Sequence, residues 1–191
     1  MDHKTQDRRI RKTKKSLREG LAKLMLQKNL NEITVKELTD IIDLNRGTFY
    51  LHYSDIYDMV EKIENDLLLE LQEIMDAHAP EQLNGKPLLL LEDVFTYLRD
   101  NAEMCVALLS NHGDIAFVNK LKEVVRQKCF KDWMTIYKSS QPDKYNYVYS
   151  FISSGCLGLF DTWLQNDLKE TPLEMARLAE NIILHGNDIL K

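Results

Sequence analysis

Asn45-Arg46-Gly47-Thr48-Phe49-Tyr50-Leu51-His52-Tyr53 is the stretch on which the reading of this 191-residue chain turns. It interleaves side chains able to meet a nucleic acid with side chains suited to a core. Asn45 is a good N-cap, and a short helix started by it would run to about Tyr53. Near its N-terminus Arg46 can reach guanine O6 and N7 with two parallel N–H bonds. Thr48 offers a hydroxyl and a methyl, the methyl suited to that of thymine. Tyr50 and His52 can donate to phosphate oxygens, and an open helix N-terminus favours the same anions. Gly47, without a side chain, lets the backbone come close to a duplex. Leu44 and Phe49 would anchor the helix to what precedes it. Taken singly, Tyr50, His52 and Tyr53 read better as half-buried packing residues and Arg46 as a solvated cation, so specificity comes from the elements in front of them.

Upstream, Thr34 is followed three residues later by Glu37, the spacing at which a hydroxyl and a carboxylate reciprocally satisfy open backbone N–H groups at a helix start. That helix would bury Val35, Leu38, Ile41 and Ile42, and Asp43 falls where the chain must turn. A first helix is expected over residues 7–28, with Ile10, Leu17, Leu21, Leu24 and Met25 on one face and Arg8, Arg9, Lys12 and Lys15 outside. Residues 29–32 read as a connection. The formal charge of −5 conceals an asymmetry. Residues 1–53 carry 12 Lys and Arg against 7 Asp and Glu, whereas residues 54–191 carry 13 against 23. A polyanion is drawn to one end of such a chain and repelled by the rest.

Downstream, Asp55 can cap a long fourth helix reaching about Ala77, stopped by Pro80. After an Asn84-Gly85 turn, Pro87 suits a helix first turn, and Leu88, Leu91, Val94, Phe95 and Leu98 form an apolar stripe. Asn101 is a candidate cap for a short helix through Leu109, residues 110–114 read as a loop, and another helix is expected over residues 115–137. Tyr145, Val148, Ile152, Cys156, Phe160 and Trp163 repeat at helical intervals from about Lys144. Thr171, Pro172 and Glu174 then combine a cap, a first-turn proline and a capping-box partner ahead of Met175, Leu178, Ile182, Gly186 and Ile189. With only 7 Gly and 4 Pro, the expected fold is all-α. It comprises about nine helices: a three-helix unit with a helix-turn-helix over residues 1–54, then a larger helical domain over residues 55–191.

Residues 7–60, through Arg46-Gly47-Thr48-Phe49-Tyr50 and His52-Tyr53, resemble the DNA-binding domain of TetR-type transcription regulators. Gly155-Cys156-Leu157-Gly158-Leu159-Phe160, Trp163-Leu164 and Thr171-Pro172-Leu173-Glu174-Met175 are similar to a subgroup that includes dihydroxyacetone-kinase operon regulators. The resemblance implies a homodimeric repressor of a palindromic operator, released by a small-molecule effector. The rival implication is a DNA-bound adaptor that senses a partner protein. It also implies that Thr34 touches a phosphate and that Lys36 lies near a base or phosphate. Arg46 and Thr48 would contact bases, Gly47 would lie against DNA, and Tyr50 and His52 would hold the backbone, with Asn45 opening the reading helix. Two departures stand out. Asp43 occupies a turn position where glycine is common, and tolerates the left-handed conformation that the turn needs. Ile56 replaces a phosphate-binding lysine, which shifts the expected affinity toward the arm between Arg8 and Lys15.

The same resemblance implies dimerisation through the last two helices. Phe151, Ser154, Gly155, Gly158 and Thr162 form a second, small-residue face on the penultimate one, and Met175, Leu178 and Ile182 line the other. It implies an effector pocket for which Phe95, Cys105, Trp133, Tyr137 and Trp163 are candidate walls, although large side chains at helical spacing are also what a core requires. No cofactor is expected. Cys105, Cys129 and Cys156 are odd in number and lack metal-ligand spacing, which suits a reducing cytoplasm. No apolar run approaches the roughly 20 residues of a spanning helix. No nucleophile elbow, P-loop, dinucleotide fingerprint or zinc pattern suggests an enzyme.

Overall fold

In a computed structural model, residues 3–79, 87–109, 115–137 and 142–186 are described. They form nine α-helices and one 3-10 turn, with no strand among the described residues. The helices are α1 (His3–Met25), α2 (Val35–Ile41), α3 (Arg46–Tyr50), α4 (Ile56–Asp76), α5 (Leu88–Asp100), α6 (Ala102–Leu109), α7 (Ile115–Tyr137), α8 (Pro142–Gln165) and α9 (Pro172–His185). The 3-10 turn is Leu30–Glu32. The expected turn at Asn84-Gly85, the loop at residues 110–114, Pro80 and Ile189 lie outside the described residues. No described helix is long and apolar enough to cross a membrane.

The chain divides into two compact units, one of Met1–Leu67 with Glu103–Val118 and one of Leu68–Ala102 with Asn119–Lys191. In the first, Leu17, Leu21, Leu24 and Met25 of α1 are buried with Leu38, Phe49, Tyr53, Met59 and Leu108. α1 crosses α2 at Gly20. A Cβ there would stand 2.6 Å from Ile42 Cγ2 and 3.0 Å from Leu38 Cδ1, so only glycine admits this approach. Lys28, just past α1, places its ammonium 2.5 and 2.6 Å from the two carboxylate oxygens of Glu37 in α2. Glu37 therefore forms only half of the expected capping box: its N–H donates to Thr34 Oγ1 at 3.2 Å, while its carboxylate is held by Lys28.

Two residues assigned to buried faces are exposed. At 100° per residue Leu38, Thr39 and Ile42 share an arc of about 100° toward α1, and Ile41 falls outside it, half of its surface in solvent. Thr39 is buried instead, its hydroxyl donating to the carbonyls of Val35 and Lys36 at 2.8 and 3.0 Å. Ile10 is exposed and lies ahead of Leu17, the first buried residue described in α1. Helix ends also shift: α1 spans residues 3–25, not 7–28, and α3 ends at Tyr50, followed by a turn to Tyr53. Asn101 caps backward, its amide donating to Tyr97 O at 3.0 Å.

In the second unit Phe95, Phe160 and Trp163 meet edge-on, with Trp163 5.7 Å from Phe95 and 6.5 Å from Phe160 between centroids. α9 begins with a complete box: Thr171 Oγ1 accepts from Glu174 N at 3.3 Å, and Glu174 Oε2 accepts from Thr171 N at 2.7 Å. α9 packs on α5, and Glu180 of α9 accepts from Leu88 N at 3.1 Å, capping a helix whose preceding Pro87 has no capping side chain. Tyr145 and Tyr149 of α8 stack at 6.0 Å and donate to the α7 carbonyls of Arg126 and Lys122. The α8–α9 link carries two consecutive left-handed residues, Asp167 (φ 57) and Leu168 (φ 52).

The Gly20 crossing yields a direct test. Gly20→Val should destabilise the chain by about 1–3 kcal/mol through overpacking, lowering Tm by about 2–10 °C in a thermal melt.

Candidate DNA-binding site

The turn before α3 is made by Asp43 at φ 50, whose N–H donates to Asp40 O at 3.4 Å, and by Leu44, whose N–H reaches Thr39 O at 2.9 Å. Asn45 then caps α3: its Oδ1 accepts from Gly47 N at 2.7 Å. That hydrogen bond claims one of the N–H groups expected to be open to a phosphate. Gly47 has a second reason to lack a side chain, since a Cβ would lie 3.1 Å from the capping oxygen.

Phe49 points inward and is fully buried, 5.4 Å edge-on from Tyr50 and 5.6 Å from Tyr53. With Phe49 inside, the helical period turns the others out. Asn45, Arg46 and Gly47 are exposed, Tyr50 is 56% exposed, and Thr48 and His52 are half-buried. Thr34 and Lys36 are exposed at the start of α2, which packs on α3. The eight expected residues are therefore carried on one packed helix pair, the cap Thr34 and the turn that follows it. Sequence reasoning passed over two further side chains: Leu51, 80% exposed at the end of α3, and Tyr57, exposed in the first turn of α4. A bulky apolar residue two positions from a buried Phe49 was the available signal.

Ile56 is buried, so the position where a lysine was expected belongs to the core. Carboxylates at the start of α4 take one N–H of its first turn and one of the residue before Asp55. Asp55 Oδ1 accepts from Asp58 N and Asp58 Oδ2 accepts from Ser54 N, both at 2.8 Å. Lys62 holds Asp58 at 2.9 Å, lies 5.6 Å from the centroid of the Tyr53 ring and reaches His52 O at 3.4 Å. Its hydrogen bond is the main cause that keeps the Asp58 carboxyl below the usual carboxylate range. Burial, helped by the charge of Lys14, lowers the pKa of His52 below its ordinary value.

The pocket candidates fall in different places. Phe95 and Trp163 are buried against each other in the second unit, and the Trp163 indole donates to Glu170 O at 3.1 Å. Cys105 is buried in the first unit, its thiol pushed up to about 11 by burial, which leaves it inert at neutral pH. Trp133 and Tyr137 lie on α7 outside the residues whose side chains are described. Of the dimer candidates, Phe151 is 78% exposed, Gly155, Gly158, Thr162 and Leu178 are exposed, Ile182 is half-buried and Met175 is buried. No group of three or more His, Cys, Asp or Glu able to hold a metal occurs among the described residues.

The model of the transcriptional regulator C-terminal region of TetR type matches residues 86–185, just over half of the chain. The chain belongs to the TetR family of transcriptional regulators. No curated protein matches it by sequence search. Its fold is similar to that of the fatty acid degradation regulator FadR from Bacillus halodurans, with a TM-score of 0.63 and 13% identity over 92% of this chain and 96% of that one. A TetR transcriptional regulator from Streptococcus agalactiae is similar over 95% and 99%, with a TM-score of 0.59 and 18% identity. FadR from Bacillus subtilis in complex with stearoyl-CoA is similar over 90% and 97%, with a TM-score of 0.60 and 13% identity. For this TetR-family member, DNA binding through a helix-turn-helix accords with the exposed α3.

Two outcomes follow. Arg46→Ala should cost about 1–3 kcal/mol on the cognate site and relax base choice at one position, measured by gel shift on a panel of single-base variants. A phosphate beside His52 would raise its depressed pKa, so binding takes up a proton. Affinity should rise as pH falls from about 8 to about 6, and His52→Gln should flatten that dependence in fluorescence anisotropy titrations.

Proposed function

We propose that the protein is a homodimeric repressor that binds a palindromic operator through residues 1–54 and leaves it when a small molecule binds the helical domain of residues 55–191. The observation that carries the reading is α3 itself: a capped helix whose one large apolar residue, Phe49, is buried while Arg46 and Tyr50 face solvent. Thr34, Lys36, Asn45, Arg46, Gly47, Thr48, Tyr50 and His52 are its DNA contacts. It acts in the cytoplasm as a regulator, not an enzyme.

Dimerisation is supported by the outer face of α8. Tyr147 and Phe151 are 80% and 78% exposed, and nothing approaches within 4 Å of a Cβ built at Gly155 or Gly158. So much apolar surface beside such bare backbone suits close helix packing between two copies. A two-fold protein matches a two-fold operator. Effector release is supported by the FadR relative solved with stearoyl-CoA, which makes a long-chain acyl-CoA the first ligand to try.

A second reading, a DNA-bound adaptor for a partner protein, draws on the edge-on packing of Phe95, Phe160 and Trp163, in which two of the candidate pocket walls are buried against each other, and on the exposed Leu89 of α5. The likeness of residues 155–160 and 171–175 to the dihydroxyacetone-kinase operon subgroup favours it as well. The two readings part on release: acyl-CoA or another small molecule lowers DNA affinity in the first, and only a protein does so in the second.

Sequencing the DNA that the purified protein retains from its genome should return a palindrome. Phe151→Asp should halve the mass in light scattering and cut operator affinity at least tenfold while leaving Tm of the remaining fold near its starting value. A variant that stays dimeric would remove α8 from the interface.

A further inference from the structure

Leu51 is 80% exposed, the most exposed large apolar side chain described in the first unit. A lone surface leucine is ordinary, and it is phase that sets this one apart. Its backbone is right-handed helical (φ −72, ψ −19), so it continues the winding of α3 by one residue. The fully buried Phe49 marks the inward direction. Measured from it at 100° per residue, Leu51 stands at about 200° and Gly47 at about 160°, on either side of the outward pole. Arg46 and Tyr50 fall on one flank, at about 60° and about 100°, and Thr48 falls on the other, at about 260°. The four-residue spacing also stacks Leu51 over the turn that Gly47 leaves without a side chain.

A major groove about 12 Å wide admits one helix, whose flanks meet the groove walls while its pole faces the base edges. The flanks of α3 carry the donors Arg46, Tyr50 and Thr48; its pole carries none. A leucine there cannot pair with the N7, O6, N4 or N6 groups of the bases, and it strips water from whatever it faces. A polar group desolvated in this way without a partner is costly. The C5 methyl of thymine is different: it is the one methyl that the four bases present in the major groove, and it gains from the same contact. Along the axis Leu51 stands about 7.5 Å from Arg46, so the base pair it meets is not the one that the guanidinium would read.

We propose that Leu51 is a specificity residue that seats the C5 methyl of a thymine in the major groove, and so selects an A·T pair near the pair read by Arg46. The inference rests on the DNA-binding reading of α3 and deepens it: one base is chosen by an apolar contact, without a hydrogen bond.

The test uses the full chain and a duplex that it retains from genomic DNA, with each thymine of the site replaced in turn by deoxyuridine. That change removes the methyl and leaves every hydrogen-bonding group in place. For wild type, one such replacement should weaken binding about fourfold in fluorescence anisotropy titrations, the worth of one buried carbon of this size. Leu51→Ala, altered at an exposed position, should keep its Tm and should bind the thymine and deoxyuridine versions of that duplex equally. It should still discriminate at the pair read by Arg46. Because the methyl of Thr48 is also suited to thymine, Thr48→Ser provides the contrast, and should retain the penalty at the thymine assigned to Leu51. A site whose thymines can all be replaced without loss would overturn the assignment while leaving base reading by Arg46 intact. So would a penalty that survives Leu51→Ala at every thymine, or the loss of the same penalty in Thr48→Ser. A wild-type chain that retained no specific duplex would overturn the DNA-binding reading, and the assignment with it.

Discussion

Five residues cannot hold a helix by themselves, because the opening turn fixes several dihedral angles for a single hydrogen bond, and isolated helices below about 12–15 residues are marginal in water. α3 has five. It persists because Phe49 is sealed into a core with Leu38, Leu17 and Leu21, because Tyr53 closes the turn that follows, and because Asn45 caps its start. The direction in which Arg46 and Tyr50 point is a by-product of that burial. Gly20 sets how near α1 comes to α2, and the left-handed Asp43 sets how sharply the chain swings from α2 into α3. Each of these acts on the reading surface without belonging to it.

The electrostatics of the first unit divide the labour in a similar way. Its acids are spent on internal tasks: Glu37 holds Lys28, Asp58 holds Lys62 and the Ser54 N–H, Asp55 caps α4, and Glu32 accepts from Asn29. Arg8, Arg9, Arg11, Lys12, Lys14 and Lys15 of α1 are exposed, and Lys15 meets the partly exposed Glu19 at 3.8 Å. Exposed positive charge thus lies on the solvent side of α1 and on Arg46 and Lys36.

Helix starts were the most legible feature of the sequence. Thr34, Asn45, Asp55 and Thr171 each cap a helix where a short polar residue stands ahead of an apolar period. A capping interaction is local, so three or four residues carry its whole signature. The reading helix was legible for the same reason: Phe49 inside and Arg46 outside follow from period alone. What escaped notice depends on partners remote in sequence. Gly20 needs Ile42 to explain it, Ile41 is exposed because α1 crosses elsewhere, and Glu180 caps a helix that starts 92 residues earlier. Spacing assigns the carboxylate of Glu37 to the backbone, but Lys28, just past α1, competes for it and wins by charge. The same limit applies to the ligand region, where large aromatic residues at helical intervals read alike as wall or as filling.

The link between α8 and α9 has a consequence for how this chain can change over time. Asp167 and Leu168 both sit in the left-handed region, Leu168 N–H bonds back to Trp163 O at 3.0 Å, and the Trp163 ring bonds forward to Glu170 O. The reversal is therefore metrically fixed. One inserted or deleted residue would rotate every side chain of α9 by about 100° about its axis, carrying Glu180 away from Leu88 and Met175 out of the core. Drift in length should accordingly be filtered out at this corner, and relatives that keep the corner's residue count should keep the same helix phase whatever has happened to their sequences.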